Sequence, residues 1–416
     1  MRNPLPLALA ALLAGTAASA QPVTVAPTRE TQPNPGVVSG ALRDVALWVN
    51  PADGGASLLI SAYDNANAGL VTFGVDGTEL EAELPDGPAL SVALHDDFPL
   101  GSTSRTLVVT ANPNFNGLGA YRLEPGGTDQ VVRIGNAGFL SGRQYASVAL
   151  YRSPVSRRFF VFAGTAGGRL EQFEISGADG GVTATPVRVL ATAGGSIAGI
   201  VADEDTGRLF VTEAGQGLWR YSAEADGGQD RLNLASVGSQ LSTEVGRVAL
   251  YKASNGEGYI LVADTAANAF AVLERRSEAV VGKFTVIADG GIDAVDGPRA
   301  LAVSSRPVGP DFSSGLFVAH DSINTPAENL KLMPWASVAN AFNPPLRVET
   351  QQADAGTDAG TSGNDGGTIG GPPPPPSNGG GDEDDGKGCS CAAASVPASA
   401  LLGLLALALA GRRRRS

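Results

Sequence analysis

Any chemistry in this chain has to come from carboxylates, hydroxyls and arginines, because the other reactive residue types are scarce. The only two cysteines, Cys389 and Cys391, stand close to the C-terminus. The body of the chain therefore has no thiol nucleophile, no Cys-based metal site and no disulfide. Two histidines, His95 and His320, are too few for a His-rich zinc site. A Ser-His-Asp set is possible by count, but no motif supports it. Lysine is limited in the body to Lys252, Lys283 and Lys331, and the net charge is −13. Such a chain lacks the basic footprint that nucleic acid demands, so no nucleic-acid partner is expected. Its carboxylates suit hard cations such as calcium. Arg143, Arg169, Arg247 and Arg299 could line a pocket for an anion if the fold brings them together.

What must position these side chains is a repeat. Val45-Ala46-Leu47, Val92-Ala93-Leu94, Val148-Ala149-Leu150 and Val248-Ala249-Leu250 are near-identical triplets, and Ile200-Val201-Ala202 and Ala300-Leu301-Ala302 fill the gaps. The starts at 45, 92, 148, 200, 248 and 300 give steps of 47, 56, 52, 48 and 52 residues. After each triplet comes a second β-rich run, such as Leu58 to Ser61 or Phe159 to Phe162. A Gly-containing turn then leads to a third run ending in an aromatic, as in Gly217-Leu218-Trp219-Arg220-Tyr221. Asp76-Gly77, Gly126-Gly127, Asp179-Gly180 and Asp226-Gly227 follow as tight hairpins, because these residues tolerate the positive φ that such turns need. Units of this length and content predict an all-β, six-bladed β-propeller with four antiparallel strands per blade. Sustained 3.6-residue periodicity is confined to the chain ends and to Trp335 to Phe342.

The two ends read differently from the body. Residues 1–20 combine Arg2, an apolar stretch from Leu5 to Leu13, and Ala18-Ser19-Ala20, the layout of a secretory signal peptide. Residues 351–388 hold Gly-Gly runs, Pro372 to Pro376 and the acidic cluster Asp382 to Asp385. They offer too little apolar surface to offset ordering entropy, which predicts a disordered stalk. Residues 389–416 carry Cys389-Ser390-Cys391, an uncharged run from Ala392 to Ala410, and Arg412 to Arg415. That run is long enough to cross a bilayer as a helix, with the arginines on the cytoplasmic side. The order of parts resembles the sorting tails of myxobacterial surface proteins. The resemblance implies a processing protease as a partner and a surface anchor. A plain membrane anchor is the alternative. Both readings export the domain at 21–350 to the cell surface or outer envelope.

Within that domain, Asp44-Val45-Ala46-Leu47-Trp48-Val49-Asn50-Pro51 resembles the Asp-Pro-Ala-Ile-Trp-Val-Asp-Pro opening of the β-propeller phytases. Leu170-Glu171-Gln172-Phe173-Glu174, Ala202-Asp203-Glu204, Leu218-Trp219-Arg220-Tyr221, Gly315 to Asp321 and Asn329-Leu330-Lys331-Leu332-Met333-Pro334-Trp335 follow in that family's order. The resemblance implies a calcium-dependent phosphomonoesterase acting on phytate, nominally a 3-phytase. A polyphosphate is repelled by bare carboxylates, so bound cations must mediate, and they also make water a better nucleophile. By that resemblance Asp44, Glu213, Asp293, Asp296, Asp321 and Asn329 are expected as calcium ligands. Glu213, Glu244 and Asp296 are expected as catalytic groups, and Tyr145 and Arg247 as phosphate contacts.

The chain also departs from the family pattern. Ala198 stands where the family's Thr-Glu-Gly-Met has its glutamate, and Gly246 where Asp-Ile-Glu-Gly has its second carboxylate. Three cationic positions fall in Asp64-Asn65-Ala66-Asn67, in Asn112-Pro113-Asn114, and at Ala166 or Gly167. A charge-assisted hydrogen bond is worth roughly 1.5–3 kcal/mol, so a chain without these groups is expected to have reduced activity. The second function class is a catalytically degenerate propeller that binds or scaffolds at the cell surface.

Overall fold

The computed structural model describes residues 21–349 apart from 34–40, 66–68, 83–85, 136–137 and 179. The signal segment at 1–20, the linker at 351–388 and the tail at 389–416 lie outside the described residues. Six sheets form the body. Their innermost strands are Leu42–Trp48, Ser91–Leu100, Ser147–Arg152, Ile197–Asp203, Val248–Lys252 and Leu301–Ser304. Five of the six triplets fall within them. The sixth strand begins at Leu301, one residue beyond the start read from the repeat. Each inner strand pairs antiparallel with the next strand in sequence, and that strand with the third. The expected six-bladed propeller is therefore the observed fold, and the expected short helix is present as Trp335–Ala341.

The packing explains why the second run of each repeat is almost wholly apolar. Leu58–Tyr63, Phe159–Gly164, Gly258–Asp264 and Leu316–Asp321 are buried along their whole length, because neighbouring blades cover both faces. Six apolar clusters result, one at each junction between successive blades. Blades one and two meet at Ile60 and Val108, two and three at Leu107 and Val161, and three and four at Phe160 and Leu209. Four and five meet at Phe210 and Ile260, five and six at Phe270 and Phe317, and six and one at Val318 and Leu59. The glycine turns behave as expected at Gly77 and Gly126, which take φ of +88° and +78°. At Asp226-Gly227 the left-handed residue is Gly228, at +70°, one position later than expected.

The ring is closed by the N-terminal segment. Arg29–Glu30 forms the outer strand of blade six against Lys331 and Leu332. Val23–Val25 runs parallel to Phe284, Thr285 and Val286 on blade five. A second clasp is ionic. Arg275 is fully buried, and its Nε donates to Asp203 Oδ2 at 2.8 Å across the junction of blades four and five. Burial works to raise the Asp203 pKa, but the hydrogen bond and charge of Arg275 outweigh it and hold the carboxyl below its ordinary 3.8. A depressed carboxyl stabilises the fold above that ordinary value, and the contribution fades as pH falls through the lower folded-state pKa. The urea midpoint of the wild type should therefore drop as pH is taken below about 4. Asp203→Asn should start lower and respond less, and equal pH slopes for the two proteins would remove the pair from acid stability.

Candidate active site

Strand direction gathers the expected site residues onto one face. Inner strands start there, second strands end there and third strands start there, so Asp44 pairs with Ala62, Ile197 with Glu213 and Asp321 with Asn329. Connections between blades return to the same face, bringing Tyr145, Glu244, Arg247, Asp293 and Asp296 to it. On this face the residues separate into distinct groups.

The first group closes the central channel. Arg247 enters from blade five, is buried, and spends its guanidinium on main-chain carbonyls of four other blades. Nη1 donates to Ala198 O at 2.8 Å, Nη2 to Leu90 O at 2.5 Å and Ala146 O at 3.2 Å, and Nε to Arg43 O at 3.3 Å. Nε also lies 3.3 Å from Asp44 Oδ2. Asp44 accepts from Ser91 Oγ at 2.6 Å and from the amides of Val45 and Val92. Burial raises the Asp44 pKa against the pull of Arg247 and those donors, and burial lowers that of Arg247. Arg247, expected as a phosphate contact, thus has its hydrogen-bonding capacity engaged inside the protein. At Gly246 an added Cβ would stand 2.3 Å from Arg299 O. The family glutamate cannot be restored at that position without moving the backbone.

The second group belongs to blade three. Glu171 is buried, accepting from Tyr145 Oη at 2.9 Å. Arg143 Nε lies 3.1 Å from its Oε2 and Arg169 Nε 2.8 Å from its Oε1. The two arginine side chains remain 45% and 42% exposed. Two guanidiniums on one carboxylate leave a net positive charge on an exposed edge. Burial, and after it Glu171, pushes the Tyr145 pKa well up against the opposing pull of Arg143, so its hydroxyl stays protonated. Arg299 does not join this pair.

The third group spans blades five and six. Lys331 is fully buried and its ammonium contacts Glu30 Oε2 at 2.6 Å, Asp293, and Asp321 Oδ2 at 3.6 Å. Asn329 Nδ2 donates to Glu30 at 2.9 Å, Asp321 Oδ1 accepts from the Asp296 amide at 3.1 Å, and Asn268 Nδ2 donates to Asp296 at 2.7 Å. Burial raises the Asp321 pKa, with Lys331 opposing it. Burial also works to lower the pKa of Lys331, but Asp293 and Glu30 reverse this and raise it. Four of the six expected calcium ligands, Asp293, Asp296, Asp321 and Asn329, are therefore neighbours. Glu213 is apart from them, fully buried in blade four, where it accepts from the Ala193 amide at 2.7 Å and Tyr221 Oη at 3.2 Å and faces Arg231 at 3.4 Å. Glu244 is exposed.

Among the described residues, no three His, Cys, Asp or Glu side chains are arranged around a point that a metal ion would occupy. The third group nevertheless has the donor chemistry that calcium takes, hard oxygens from the paired strand ends Asp321 and Asn329 and from Asp293 and Asp296 in the connection into blade six. Asp321 Oδ2 and Asn329 Oδ1 are buried without a hydrogen-bond donor, and such atoms are costly unless something satisfies them. The channel mouth does not fit a metal, because Arg247 already answers its carbonyls and Asp44.

Sequence reasoning missed three participants. Glu171 is the anchor of Arg143 and Arg169, and the signal available was only that these arginines flank one glutamate in a body poor in lysine. Glu30 lies 301 residues from Lys331, and nothing local marks it. Lys331 itself sat in a recognised block but reads there as a strand residue.

Residues 3–355 match the family model described as Phytase. The 3-phytase of Bacillus subtilis (strain 168) is 28% identical over 327 residues, covering 75% of this chain and 84% of that protein.

Proposed function

Since the chain belongs to the phytase family, we propose that its face bearing Asp44 and Asp321 recognises and hydrolyses phosphomonoesters of the phytate class. The observation that carries this reading is the pair Arg143 and Arg169, fixed by buried Glu171 while their outer edges stay exposed. A guanidinium held by its Nε presents a planar edge suited to phosphate oxygens. Tyr145, kept protonated, holds Glu171 in place. Asp293, Asp296, Asp321 and Asn329 would hold a calcium ion, which when bound neutralises phosphate charge and eases deprotonation of water. Asn268 orients Asp296, and the Asp296 amide orients Asp321. Lys331 keeps the carboxylates together while no substrate is present. We propose further that the protein is exported and held at the cell surface by its C-terminal tail.

The test is phosphate release from calcium phytate by the full chain, with and without excess chelator. Chelator-sensitive release is expected. In Arg143→Ala/Arg169→Ala, KM should rise at least tenfold, since each charge-assisted hydrogen bond is worth roughly 1.5–3 kcal/mol. A second reading, a propeller that binds phosphoesters without turning them over, is favoured by Arg247 filling the channel mouth. It is selected if folded protein binds phytate, loses that binding in the double variant and releases no phosphate. No binding and no release would reject both readings.

A further inference from the structure

The channel has a second mouth, on the face opposite the candidate active site. There the inner strands end around Trp48, His95, Arg152, Asp203, Lys252 and Ser304. Between the two mouths lies a cavity of about 430 Å³, within the range that holds small organic ligands. Its wall is built from the repeated triplets, which set the apolar side chains of Leu47, Leu94, Val201, Leu250 and Val303 beside polar groups that include Asp44, Ser147 and Glu204. Arg247 stands across the far end, so the cavity is a socket whose opposite mouth bears Lys252.

The carboxylates at this opening are engaged: Glu204 Oε1 accepts from His95 Nε2 at 2.7 Å and from the Arg152 amide at 2.8 Å. Asp96 Oδ1 accepts from Trp48 Nε1 at 3.1 Å and Thr106 Oγ1 at 2.6 Å, and Asp203 is bound by Arg275. The cations are not all engaged. Lys252 lines the socket half-buried, and its ammonium makes no hydrogen bond or ion pair with any described residue. It feels the charges of Asp203 and Glu204 only at a distance. Arg152 Nε is buried without a partner, its guanidinium lying 5.4 Å from the Phe159 ring centroid. Burial disfavours charge on His95, but the hydrogen bond and charge of Glu204 reverse this and raise its pKa above the ordinary 6.5. A lysine that lines the cavity with no counterion in contact is conspicuous in a chain of net charge −13.

We propose that this socket binds a small single-chain anionic amphiphile, with its anionic head against Lys252 and its alkyl chain along the triplet wall. The apolar side chains of the wall alone would favour a neutral oil, and a surface lysine alone would take any anion. Their juxtaposition requires both properties in one ligand. The site is on the opposite face from the phosphoester site and does not depend on that reading.

The experiment is calorimetric titration of the full chain with dodecanoate below its micelle concentration. Dodecyl phosphate and dodecanol serve as head-group arms, and decanoate as the chain-length arm. One saturable site is expected for the two anions, and the tighter of them identifies the head. Dodecanol should bind at least tenfold more weakly. Shortening the chain by two carbons should weaken binding roughly tenfold. Lys252→Gln should weaken the anions at least tenfold and leave dodecanol unchanged. Ala202→Phe, which narrows the socket, should abolish binding of all three C12 ligands. Equal binding of dodecanol, or indifference to Lys252→Gln, would overturn the proposal even if the socket-filling variant failed to fold. So would heat without saturation.

Discussion

Arg247→Met will destabilise the propeller by about 3–5 kcal/mol, the magnitude typical of breaking a buried ion pair from one side. The substitution removes the donors that serve the carbonyls of Arg43, Leu90, Ala146 and Ala198 and leaves Asp44 buried without counter-charge. Equilibrium denaturation in urea measures the loss as a lower midpoint. Asp44→Asn/Arg247→Met should recover part of it, because the uncompensated charge is then gone while the unpaired carbonyls remain. The pH dependence has a definite sign. Burial already raises the Asp44 pKa in the wild type, and loss of Arg247 raises it further. A carboxyl raised in the folded state is a burden when ionised, so the deficit of Arg247→Met should shrink as pH falls through that pKa. A midpoint equal to wild type would mean that the guanidinium does not join the blades.

Lys331→Met carries the second large effect. In chelator it should cost a similar 3–5 kcal/mol, since Glu30, Asp293 and Asp321 lose the ammonium between them. Calcium should then restore much of the loss. The remaining donors are all oxygens, two of them buried without a hydrogen bond, and ligand at about 100 times Kd adds about 2.7 kcal/mol of stability. Thermal unfolding of variant and wild type across a calcium series separates the cases. A steep rise in the variant with a shallow one in the wild type identifies Lys331 as a competitor for the cation. A variant indifferent to calcium would remove the blade-six cluster as a metal site and leave the arginine pair to support phosphoester binding alone.

The propeller was legible because its determinants are local and repeated. Val-Ala-Leu triplets mark strands that line the channel, the continuous apolar runs after them mark strands covered on both faces, and Gly77 and Gly126 sit where positive φ is required. The grouping of Asp293, Asp296, Asp321 and Asn329 was legible only through family resemblance, since acidic residues near turns are common for local reasons. The role of Arg247 was not legible. Its partners are main-chain carbonyls, which every residue owns and no side-chain pattern reports. The closing strand Arg29–Glu30 escaped for a related reason: a two-residue strand carries no period, and its register is set by a partner some 300 residues away. Glu171 was quoted for its block, yet its work depends on arginines reaching it from two different loops.

That closing strand also fixes an order of events. Ribosomes deliver the chain from its N-terminus, so Arg29 and Glu30 are made among the first residues of the body and their partners Lys331 and Leu332 among the last. Early blades can form hairpins while synthesis continues, because their pairings are local. Blade six has no outer edge, and the ring no seam, until almost the whole domain is available. A chain truncated by even one blade has nothing to dock its first strand on, and it exposes strand edges prone to aggregation. Completeness of the polypeptide is thus a condition of closure, written into the pairing of its first residues with its last.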